Sequence, residues 1–200
     1  MALDPSGRFA YIPDSKSNDV LVYSIDPSTG TMTGISGSPF PSGTGPSQAI
    51  VDPSGRFAYV TNSNSSNVSA YTVDPPTGAL TPVAGSPFPA GTEPFNGSVD
   101  PSGRFVYVTN YGSQSVSAYS IDPATGALTT VAGSPFPTGT NPWGVTVDPS
   151  GKFAYVANEE DNDVTAYAID PATGALTGLP GSPFAVGYFP TSVAITWLIH

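Results

Sequence analysis

Short runs in which large apolar residues alternate with small or polar ones follow one another along the whole chain. Residues 46–93 are representative, with runs at 48–51, 57–61, 68–73 and 79–84 separated by segments rich in Gly, Pro and Asn. Alternation with a period of two is typical of β-strands bounded by turns. No segment shows a helical period over a useful length. The pattern therefore predicts an all-β chain with four short antiparallel strands in each such stretch.

The strand pattern repeats every 48 residues without insertion or deletion. Three turn motifs mark it, namely Asp-Pro-Ser-Gly-Arg/Lys-Phe, Asp-Pro-x-Thr-Gly and Gly-Ser-Pro-Phe; they begin at Asp4, Asp52, Asp100 and Asp148, at Asp26, Asp74, Asp122 and Asp170, and at Gly37, Gly85, Gly133 and Gly181. Units this small must pack against their neighbours to bury a core. Four strands per unit are typical of a β-propeller blade. A parallel β-helix is the alternative, but its coils are shorter.

The expected fold is therefore a single β-propeller or half-propeller over residues 1–200, with units at approximately 1–45, 46–93, 94–141 and 142–189. The first residues supply only the tail of an inner strand. Residues 190–196 match the inner strand of a fifth unit, so this closing strand is predicted to complete the first blade, in cis or from a second chain. Closure in cis gives a four-bladed monomer, and exchange between two chains gives a homodimer with an eight-bladed ring. A third interpretation is a piece of a longer array.

Composition and charge exclude several classes of function. The chain has no Cys, so a disulfide framework and a cysteine nucleophile are both excluded. Its formal charge of -10 argues against a nucleic-acid partner, because phosphate binding needs a basic surface. No apolar run is long enough for a membrane span, and no cofactor is expected. The repeat begins at Met1 without a signal peptide, which leaves the compartment unknown and a secreted or cell-surface origin open.

The second strand of each unit carries a signature. Tyr59-Val-Thr-Asn62 and Tyr107-Val-Thr-Asn110 spell YVTN, and Tyr11-Ile-Pro-Asp14 and Tyr155-Val-Ala-Asn158 are variants. Together with the two Asp-Pro turns, these residues resemble the YVTN-repeat propellers and the lactonase-type seven-bladed propellers related to 6-phosphogluconolactonase. The resemblance reaches to about residue 195 and implies the propeller fold. It implies less about activity, because the matching residues form turns and strands.

Lactonase activity, according to the same resemblance, is associated with a cluster of His, Arg and carboxylate side chains facing the central channel. The single His of this chain is His200, outside the repeat. Arg8, Arg56 and Arg104 each follow an Asp-Pro-Ser-Gly turn, where they are expected to be solvated. No catalytic residue carries over, and without an adjacent base the Ser and Thr hydroxyls provide no nucleophile. The sequence thus favours a protein without catalytic activity.

Positions at which the four units differ are the candidates for binding. The segment before each inner strand varies, and in propellers this segment surrounds one mouth of the central channel. Aromatic side chains there would form a rim, and polar side chains would contact a ligand. The candidate residues are Gln48, Glu93, Phe95, Asn96, Asn141, Trp143, Tyr188 and Phe189. The alternative is that the aromatic residues pack between blades as core.

The loop after the YVTN strand also varies, and it is acidic in the fourth unit. Its carboxylates are candidates for a Ca²⁺ site, although their spacing lacks the ordered ligand pattern of a calcium loop. These residues are Glu159, Glu160, Asp161 and Asp163. The alternative is a solvated acidic face, and no metal site is predicted.

A rigid repeated frame with variable loops suggests a non-catalytic scaffold that binds a protein, a glycan or a small-molecule ligand. Two alternatives remain. One is a lactonase-like hydrolase of sugar lactones. The other is a truncated or engineered propeller fragment whose main property is self-assembly.

Overall fold

The computed structural model describes residues 1–195 as four consecutive antiparallel sheets, called blades 1 to 4 below. Blade 1 contains β1 (Ala2–Leu3), β2 (Phe9–Asp14), β3 (Asp19–Ile25), β4 (Met32–Gly34) and β5 (Phe40–Pro41). Blade 2 contains β6 (Pro46–Val51), β7 (Phe57–Asn62), β8 (Asn67–Val73), β9 (Leu80–Pro82) and β10 (Phe88–Pro89). Blade 3 contains β11 (Pro94–Val99), β12 (Phe105–Asn110), a short 3-10 helix (Tyr111–Ser113), β13 (Ser115–Ile121), β14 (Leu128–Thr130) and β15 (Phe136–Pro137). Blade 4 contains β16 (Pro142–Val147), β17 (Phe153–Asn158), β18 (Asp163–Ile169), β19 (Leu176–Gly178) and β20 (Phe184–Ala185).

The order of strands confirms the propeller blade predicted from the sequence. In blade 2, β6, β7 and β8 pair in that order, and β9 and β10 both pair with β8. The first strands of neighbouring blades contact each other, as β6 does with β11 and β11 with β16. These first strands therefore form the inner layer of the array, and the short last strands form its outer edge.

The outer edge of each blade is divided, where the sequence predicts one strand. In blade 2, β9 and β10 replace a single strand over 79–84. The Ser86–Pro87 peptide between them is cis, and the Ser86 hydroxyl oxygen accepts a hydrogen bond from the Ala70 N–H at 2.9 Å. The hydroxyl thus substitutes for a carbonyl missing from the ladder. The same bond recurs at Ser38, Ser134 and Ser182.

The hydrophobic core lies between the blades. Each of three clusters combines buried residues of two adjacent blades, so that Phe105 and Tyr107 of blade 3 pack with Val145, Val156 and Tyr167 of blade 4. Two equivalent clusters join blades 1 and 2 and blades 2 and 3. Large apolar residues on both faces of a sheet are explained by this arrangement, because every blade between two others is covered on both sides.

Polar side chains of the YVTN signature also form hydrogen bonds between blades. The Tyr59 hydroxyl donates to the Gly126 carbonyl of the next blade at 3.1 Å. The Thr61 hydroxyl donates to the Phe95 carbonyl of the next blade at 3.0 Å. Asn62 instead ties its own sheet together, since its amide donates to the Asn67 and Ser69 side chains. The YVTN signature therefore specifies the contact between two adjacent blades, called the joint below, as well as the strand.

The predicted closing strand does not pair with blade 1 within the described part of the chain. Blade 1 has its own inner strand, the two-residue β1, which pairs with Ala10 and Tyr11. Residues 190–195 lie beside β16, where the Thr146 hydroxyl donates to the Val193 carbonyl at 2.7 Å. Closure in cis is thus not formed in this structure, because the segment follows blade 4 into the place of a next inner strand, and closure by a second chain stays a prediction. Residue 196 of that strand lies outside the described residues.

Membrane crossing by a helix has no support in residues 1–195, where no helix is long and apolar enough.

Candidate functional site

The entry to each inner strand has an unusual backbone. The residue before the Pro that begins β6, β11 and β16 has a positive φ, as does the residue before Pro190, and only one of these four residues is a Gly. These residues are Gly45 (66°), Glu93 (54°), Asn141 (53°) and Phe189 (53°). The left-handed region is costly for a residue with a Cβ, by about 1–3 kcal/mol, and such strain concentrates at functional sites. Glu93 and Phe189 are therefore the residues whose identity the backbone does not explain.

Glu93 is held in this conformation by the loop that follows the YVTN strand of its own blade. The Tyr111 N–H donates to the Glu93 carbonyl at 2.9 Å, and the Gly112 N–H donates to the Thr92 carbonyl at 3.1 Å. The Glu93 carboxylate lies over Gly112, where a Cβ would come within 3.0 Å of its Oε2. The two loops thus form one surface, and a glycine at position 112 leaves room for the carboxylate.

Three aromatic rings meet beside Glu93. The ring centroids of Phe95 and Trp143 are 4.5 Å apart with an edge-to-face angle of 61°. The Tyr111 ring lies 6.0 Å from each of them. The preceding blade positions two of these residues, because the Thr61 and Thr109 hydroxyls donate to the Phe95 and Trp143 carbonyls, each at 3.0 Å. Such tilted contacts are the favoured geometry of aromatic pairs.

A pocket of about 320 Å³ opens at this cluster. It is lined by Ser63, Asn64, Glu93, Phe95, Tyr111 and Trp143, which come from blades 2, 3 and 4. Its volume is at the low end of the range for small-molecule sites, and aromatic walls with a few polar groups are typical of them. Phe95 and Trp143 are half-buried, so they form neither a free rim nor a closed core.

Two of the larger grooves belong to the repeated frame. Grooves of about 410 and 380 Å³ lie between consecutive Asp-Pro-Ser-Gly turns, at the opposite ends of the inner strands. Corresponding residues of different units line both of them, including Arg104 in one and Arg8 in the other. A groove that recurs with the turn is a consequence of stacking blades. The aromatic pocket uses residues that differ between units.

The three arginines are structural. The guanidinium carbons of Arg8, Arg56 and Arg104 lie 5.1, 5.0 and 5.2 Å from the ring centroid of the Phe that follows each. Each guanidinium also donates to a carbonyl of the next blade, at Pro76, Pro123 and Pro171. They thus join blades rather than being free charges of a turn. His200 lies outside the described residues.

The pocket has an acidic border. The Tyr111 hydroxyl donates to Glu159 Oε2 at 3.2 Å, and the Asn141 amide donates to Glu160 Oε2 at 2.9 Å. Burial raises the pKa of Tyr111, and the hydrogen bond to Glu159 and the charges of Glu159, Glu160 and Glu93 raise it further. Tyr111 is therefore a neutral hydrogen-bond donor at physiological pH, surrounded by negative charge.

The carboxylates proposed for Ca²⁺ have different partners. Asp161 accepts from the Thr140 N–H at 2.6 Å and Asp163 from the Asn158 amide at 2.7 Å, while Glu159 and Glu160 are bound as described above. Among residues 1–195, no three His, Cys, Asp or Glu side chains are grouped so that they could hold a metal ion.

Four other predicted site residues lie outside the lining of the aromatic pocket. Gln48 Oε1 accepts the Gly97 N–H at 2.5 Å and so links β6 to β11. Asn96 is anchored through its backbone, whose N–H donates to the Thr109 hydroxyl oxygen at 3.1 Å. Tyr188 and Phe189 are 88% and 65% exposed, beyond blade 4 and outside the pocket lining. Of the residues predicted for the site, Glu93, Phe95 and Trp143 line this pocket, and their role in binding stays a prediction; Tyr111, which also lines it, was not predicted. The signal was its place as the single aromatic residue in the variable loop after the YVTN strand.

Solved structures with the same architecture are numerous. A protein of Bacteroides uniformis, provisionally named a 6-phosphogluconolactonase, superposes with a TM-score of 0.85 at 22% identity over 96% of this chain and 55% of its own. A similarly named Bacteroides fragilis protein gives 0.79 at 24% identity over 92% and 54%. The periplasmic gluconolactonase of Pseudomonas aeruginosa gives 0.77 at 25% identity over 96% and 56%. The chain therefore spans about half the length of these solved relatives.

Comparison of the sequence with curated proteins finds no match. A family model described as "Lactonase, 7-bladed beta-propeller" matches residues 1–193. This match and the lactonase names of the structural relatives overturn the expectation of a non-catalytic scaffold, and they favour the lactonase-like alternative. The match to the family model extends over the turns and strands of residues 1–193, whereas the expectation depended on a few missing side chains. The chain belongs to the family of seven-bladed β-propeller lactonases.

Proposed function

We propose that this chain acts as a lactonase-like hydrolase of sugar lactones, or supplies the corresponding blades of one, and that the aromatic pocket binds the substrate. The observation that carries the proposal is Glu93, a carboxylate held at a positive φ on the edge of a pocket walled by Phe95, Tyr111 and Trp143. A strained carboxylate beside aromatic faces has no role in the joints between blades. It suits a site that binds a small polar ring and activates water.

The chemistry requires one base and one donor. A water molecule attacks the lactone carbonyl carbon, and the Glu93 carboxylate accepts a proton from it. The bond between that carbon and the ring oxygen then breaks, and the leaving alkoxide takes the proton from Glu93, which gives the open hydroxy acid. The side-chain amide of Asn64, in the lining of the same pocket, is a donor for the negative oxygen of the tetrahedral intermediate. Water is the only co-reactant.

The charge of the site favours an uncharged lactone over a phosphorylated one. Glu93 and Glu159 lie at the pocket and Glu160 lies beside it, whereas Arg8, Arg56 and Arg104 are used at the turns. A phosphoryl group carries a charge of about −1.5 to −2. At roughly 8 Å and an effective dielectric constant of 20 to 80, each pair of like unit charges costs about 0.5–2 kcal/mol. Several such pairs would exclude the phosphorylated sugar.

The test compares turnover of glucono-1,5-lactone and its 6-phosphate with a protein-free blank. We expect turnover of the uncharged lactone above the blank, a lower rate with the phosphate, and at least a tenfold loss of activity in Glu93→Gln. Asp19→Asn is the matched control, because it also removes one carboxylate, at the start of β3 in blade 1, where Asp19 accepts a hydrogen bond from the Ser17 hydroxyl at 2.8 Å. Activity equal to the blank in the unaltered chain, or an unchanged rate in Glu93→Gln, contradicts the proposal.

A second part of the proposal concerns assembly. We propose that the 200-residue chain forms a homodimer with an eight-bladed ring, which is within the range of about four to eight blades known for propellers. The support is exposed apolar surface: Leu3 and Met32 of blade 1 are 53% and 41% exposed, and Phe184 of blade 4 is 45% exposed. Solution mass tests the ring, with 20.4 kDa for one copy and twice that value for the dimer.

A further inference from the structure

The aromatic wall of the pocket is a property of blades 3 and 4 and not of the repeat. Phe95 and Trp143 are the second residues of β11 and β16, and the corresponding residue of β6 is Ser47. The Ser47 hydroxyl is used between blades, since it donates to the Phe95 carbonyl at 3.0 Å. Phe95 and Trp143 are half-buried, so part of each side chain stays accessible. The stacking of blades therefore does not explain why two large aromatic residues stand here.

A second repeated position brings a carboxylate to this wall. Ser63, Tyr111 and Glu159 occupy the same place in blades 2, 3 and 4, one 48-residue repeat apart. Ser63 and Tyr111 line the pocket, and the Tyr111 hydroxyl donates to Glu159 Oε2 of the next blade at 3.2 Å. Glu159 is itself half-buried. A negative charge is thus held next to an aromatic ring of the pocket by a bond that links two blades.

Glu93 adds another carboxylate, and its place depends on an exchange of residues between blades 2 and 3. In blade 2 the Asn64 side chain lies over Gly45, where a Cβ would come within 2.8 Å of the Asn64 Cγ. In blade 3 the Glu93 carboxylate lies over Gly112, and these two residues correspond to Gly45 and Asn64. The small and the large residue have therefore changed places. The result is an exposed carboxylate in the pocket lining.

The electrostatic field at the pocket is negative. Within residues 1–195, the charges that raise the pKa of Tyr111 are those of Glu159, Glu160 and Glu93. The arginines lie at the opposite ends of the inner strands, where their guanidinium groups donate to carbonyls of the turns. A cleft lined by one sign of charge concentrates ligands of the other sign. The same field that disfavours a phosphorylated lactone favours a positively charged ligand.

The chemistry of the lining selects the kind of cation. A divalent metal ion needs several oxygen ligands at short distance, and no three acidic side chains are grouped in that way among residues 1–195. A quaternary ammonium group instead carries its charge on a surface of methyl groups, and aromatic side chains attract such ions. Phe95, Tyr111 and Trp143 contact one another, so the methyl groups would lie against the wall that the three rings share. The carboxylates beside this wall complement the charge.

We propose that the aromatic pocket is a binding site for a small organic cation with a quaternary ammonium group. The methyl groups of the cation pack against Phe95, Tyr111 and Trp143, and Glu93 and Glu159 balance its charge. A volume of about 320 Å³ suits a small molecule of this class. The inference goes beyond lactone hydrolysis and does not depend on it, because binding requires no reacting group. A chain that also hydrolyses lactones would be inhibited competitively, since both ligands need the same space.

The test follows the methyl protons of the ligand by NMR during titration with the whole chain, at constant ionic strength. The probes are tetramethylammonium and choline, and 3,3-dimethyl-1-butanol is the neutral isostere of choline, with carbon in place of the quaternary nitrogen. Ring currents of the aromatic wall should shift the methyl signals of the bound cations upfield. We expect the neutral isostere to bind at least about tenfold more weakly than choline, because it lacks the attraction to the rings and to the carboxylates.

Two pairs of variants locate the site. Trp143→Leu removes a ring and should raise the dissociation constant of tetramethylammonium at least about fivefold, whereas Trp143→Phe keeps an aromatic face and should raise it less than about threefold. Glu159→Gln removes one charge and should raise the constant about threefold. Asp19→Asn removes a carboxylate of blade 1 and should leave it unchanged. Melting temperatures equal to that of the unaltered chain show that the variants fold.

Binding of both cations with these losses supports the site. Methyl signals that do not shift up to about 50 mM tetramethylammonium, or equal binding of the neutral isostere, overturn it. A dissociation constant that neither Trp143→Leu nor Glu159→Gln changes means that the cation binds elsewhere, and this also overturns the proposal. Hydrolysis is decided separately, because the cations are titrated without lactone. Lactone turnover without cation binding overturns this inference alone, and cation binding without turnover supports it while contradicting the proposed hydrolase.

Discussion

The joint between blades 3 and 4 and the outer face of blade 4 present the same residue types in different surroundings. Phe105 and Tyr107 face blade 4 and are 5% and 0% exposed. Phe153 and Tyr155 occupy the same positions one repeat later and are only half-buried. The neighbouring blade therefore determines how far a blade residue is buried, because each core is shared between two sheets.

The difference extends to hydrogen bonding and ionisation. Burial, and then the charge of Asp100, raise the pKa of Tyr107, while Arg104 opposes the shift. Tyr11 and Tyr59 in the other joints have pKa values raised by burial first and by Asp4 and Asp52 second. These hydroxyls therefore stay protonated, as donors to a carbonyl must.

The largest expected loss of stability comes from changing Gly78, the glycine against which the Phe9 ring packs. Gly78→Ala introduces a Cβ in the left-handed region, at a cost of about 1–2 kcal/mol, and overpacks the Phe9 ring at a further cost of about 1–3 kcal/mol. Gly30→Ala has nearly the same φ, +71° against +75°, and no neighbour within 4 Å. We expect Gly78→Ala to lose about 2–5 kcal/mol of unfolding free energy and Gly30→Ala about 1–2 kcal/mol.

Urea unfolding of both variants, at a concentration where the chain is monomeric, measures this difference. Equal losses would mean that the joint accommodates a methyl group and that the uniform Gly of this turn serves only the backbone.

A second test removes one hydroxyl from each region. Tyr107→Phe leaves the Gly174 carbonyl, which accepts at 2.9 Å, without its donor from the neighbouring blade. The expected loss is about 1–2 kcal/mol of unfolding free energy. Tyr155→Phe should stay within about 0.5 kcal/mol of the unaltered monomer, because its side chain is only half-buried at an open face. A loss in Tyr155→Phe as large as in Tyr107→Phe, in a confirmed monomer, would contradict the comparison.

The repeated arrangement of strands could be predicted from the sequence because turn residues mark its 48-residue period. Asp-Pro-Ser-Gly and Asp-Pro-x-Thr-Gly mark strand ends directly, and the strands between them alternate. The split outer edge could not be predicted, since the role of Ser86 depends on a hydrogen bond to Ala70 across the sheet. Pairing with β8 resumes at Phe88, directly after Pro87.

The candidate site was predictable only in part, because it combines three blades. Glu93, Phe95 and Trp143 precede or begin inner strands and were found by comparing units. Tyr111 belongs to another loop, and only the fold brings it within 6.0 Å of the other rings. The expectation of a non-catalytic scaffold, drawn from the missing His and Arg side chains, is overturned by the match of residues 1–193 to the lactonase family model. A strained carboxylate such as Glu93 is visible only in the backbone angles.

The smallest expected effect concerns the Asp carboxylate of the Asp-Pro-x-Thr-Gly turn, which both regions contain. The hydroxyl and N–H of Ser28 and the N–H of Thr29 lower the pKa of Asp26 to about 2, from an ordinary value of 3.8. The N–H groups of Thr125 and Ala124 likewise lower the pKa of Asp122. Asp26 belongs to the open turn of blade 1 and Asp122 to a turn inside a joint. Each carboxylate nevertheless accepts hydrogen bonds only within its own turn.

Because the pKa in the folded state is depressed, ionised Asp26 stabilises the fold above pH of about 4, and this contribution is lost as the pH falls towards about 2. Asn cannot titrate but still accepts the same N–H groups, so Asp26→Asn and Asp122→Asn should each flatten the fall in melting temperature between pH 5 and roughly 2. We expect more flattening in Asp26→Asn than in Asp122→Asn, because Asp26 also accepts a hydrogen bond from the Ser28 hydroxyl, whereas position 124 in the turn of Asp122 is an alanine. Melting curves across this range measure it, and a larger effect at Asp122 would show that the carboxylate also stabilises the contact between blades.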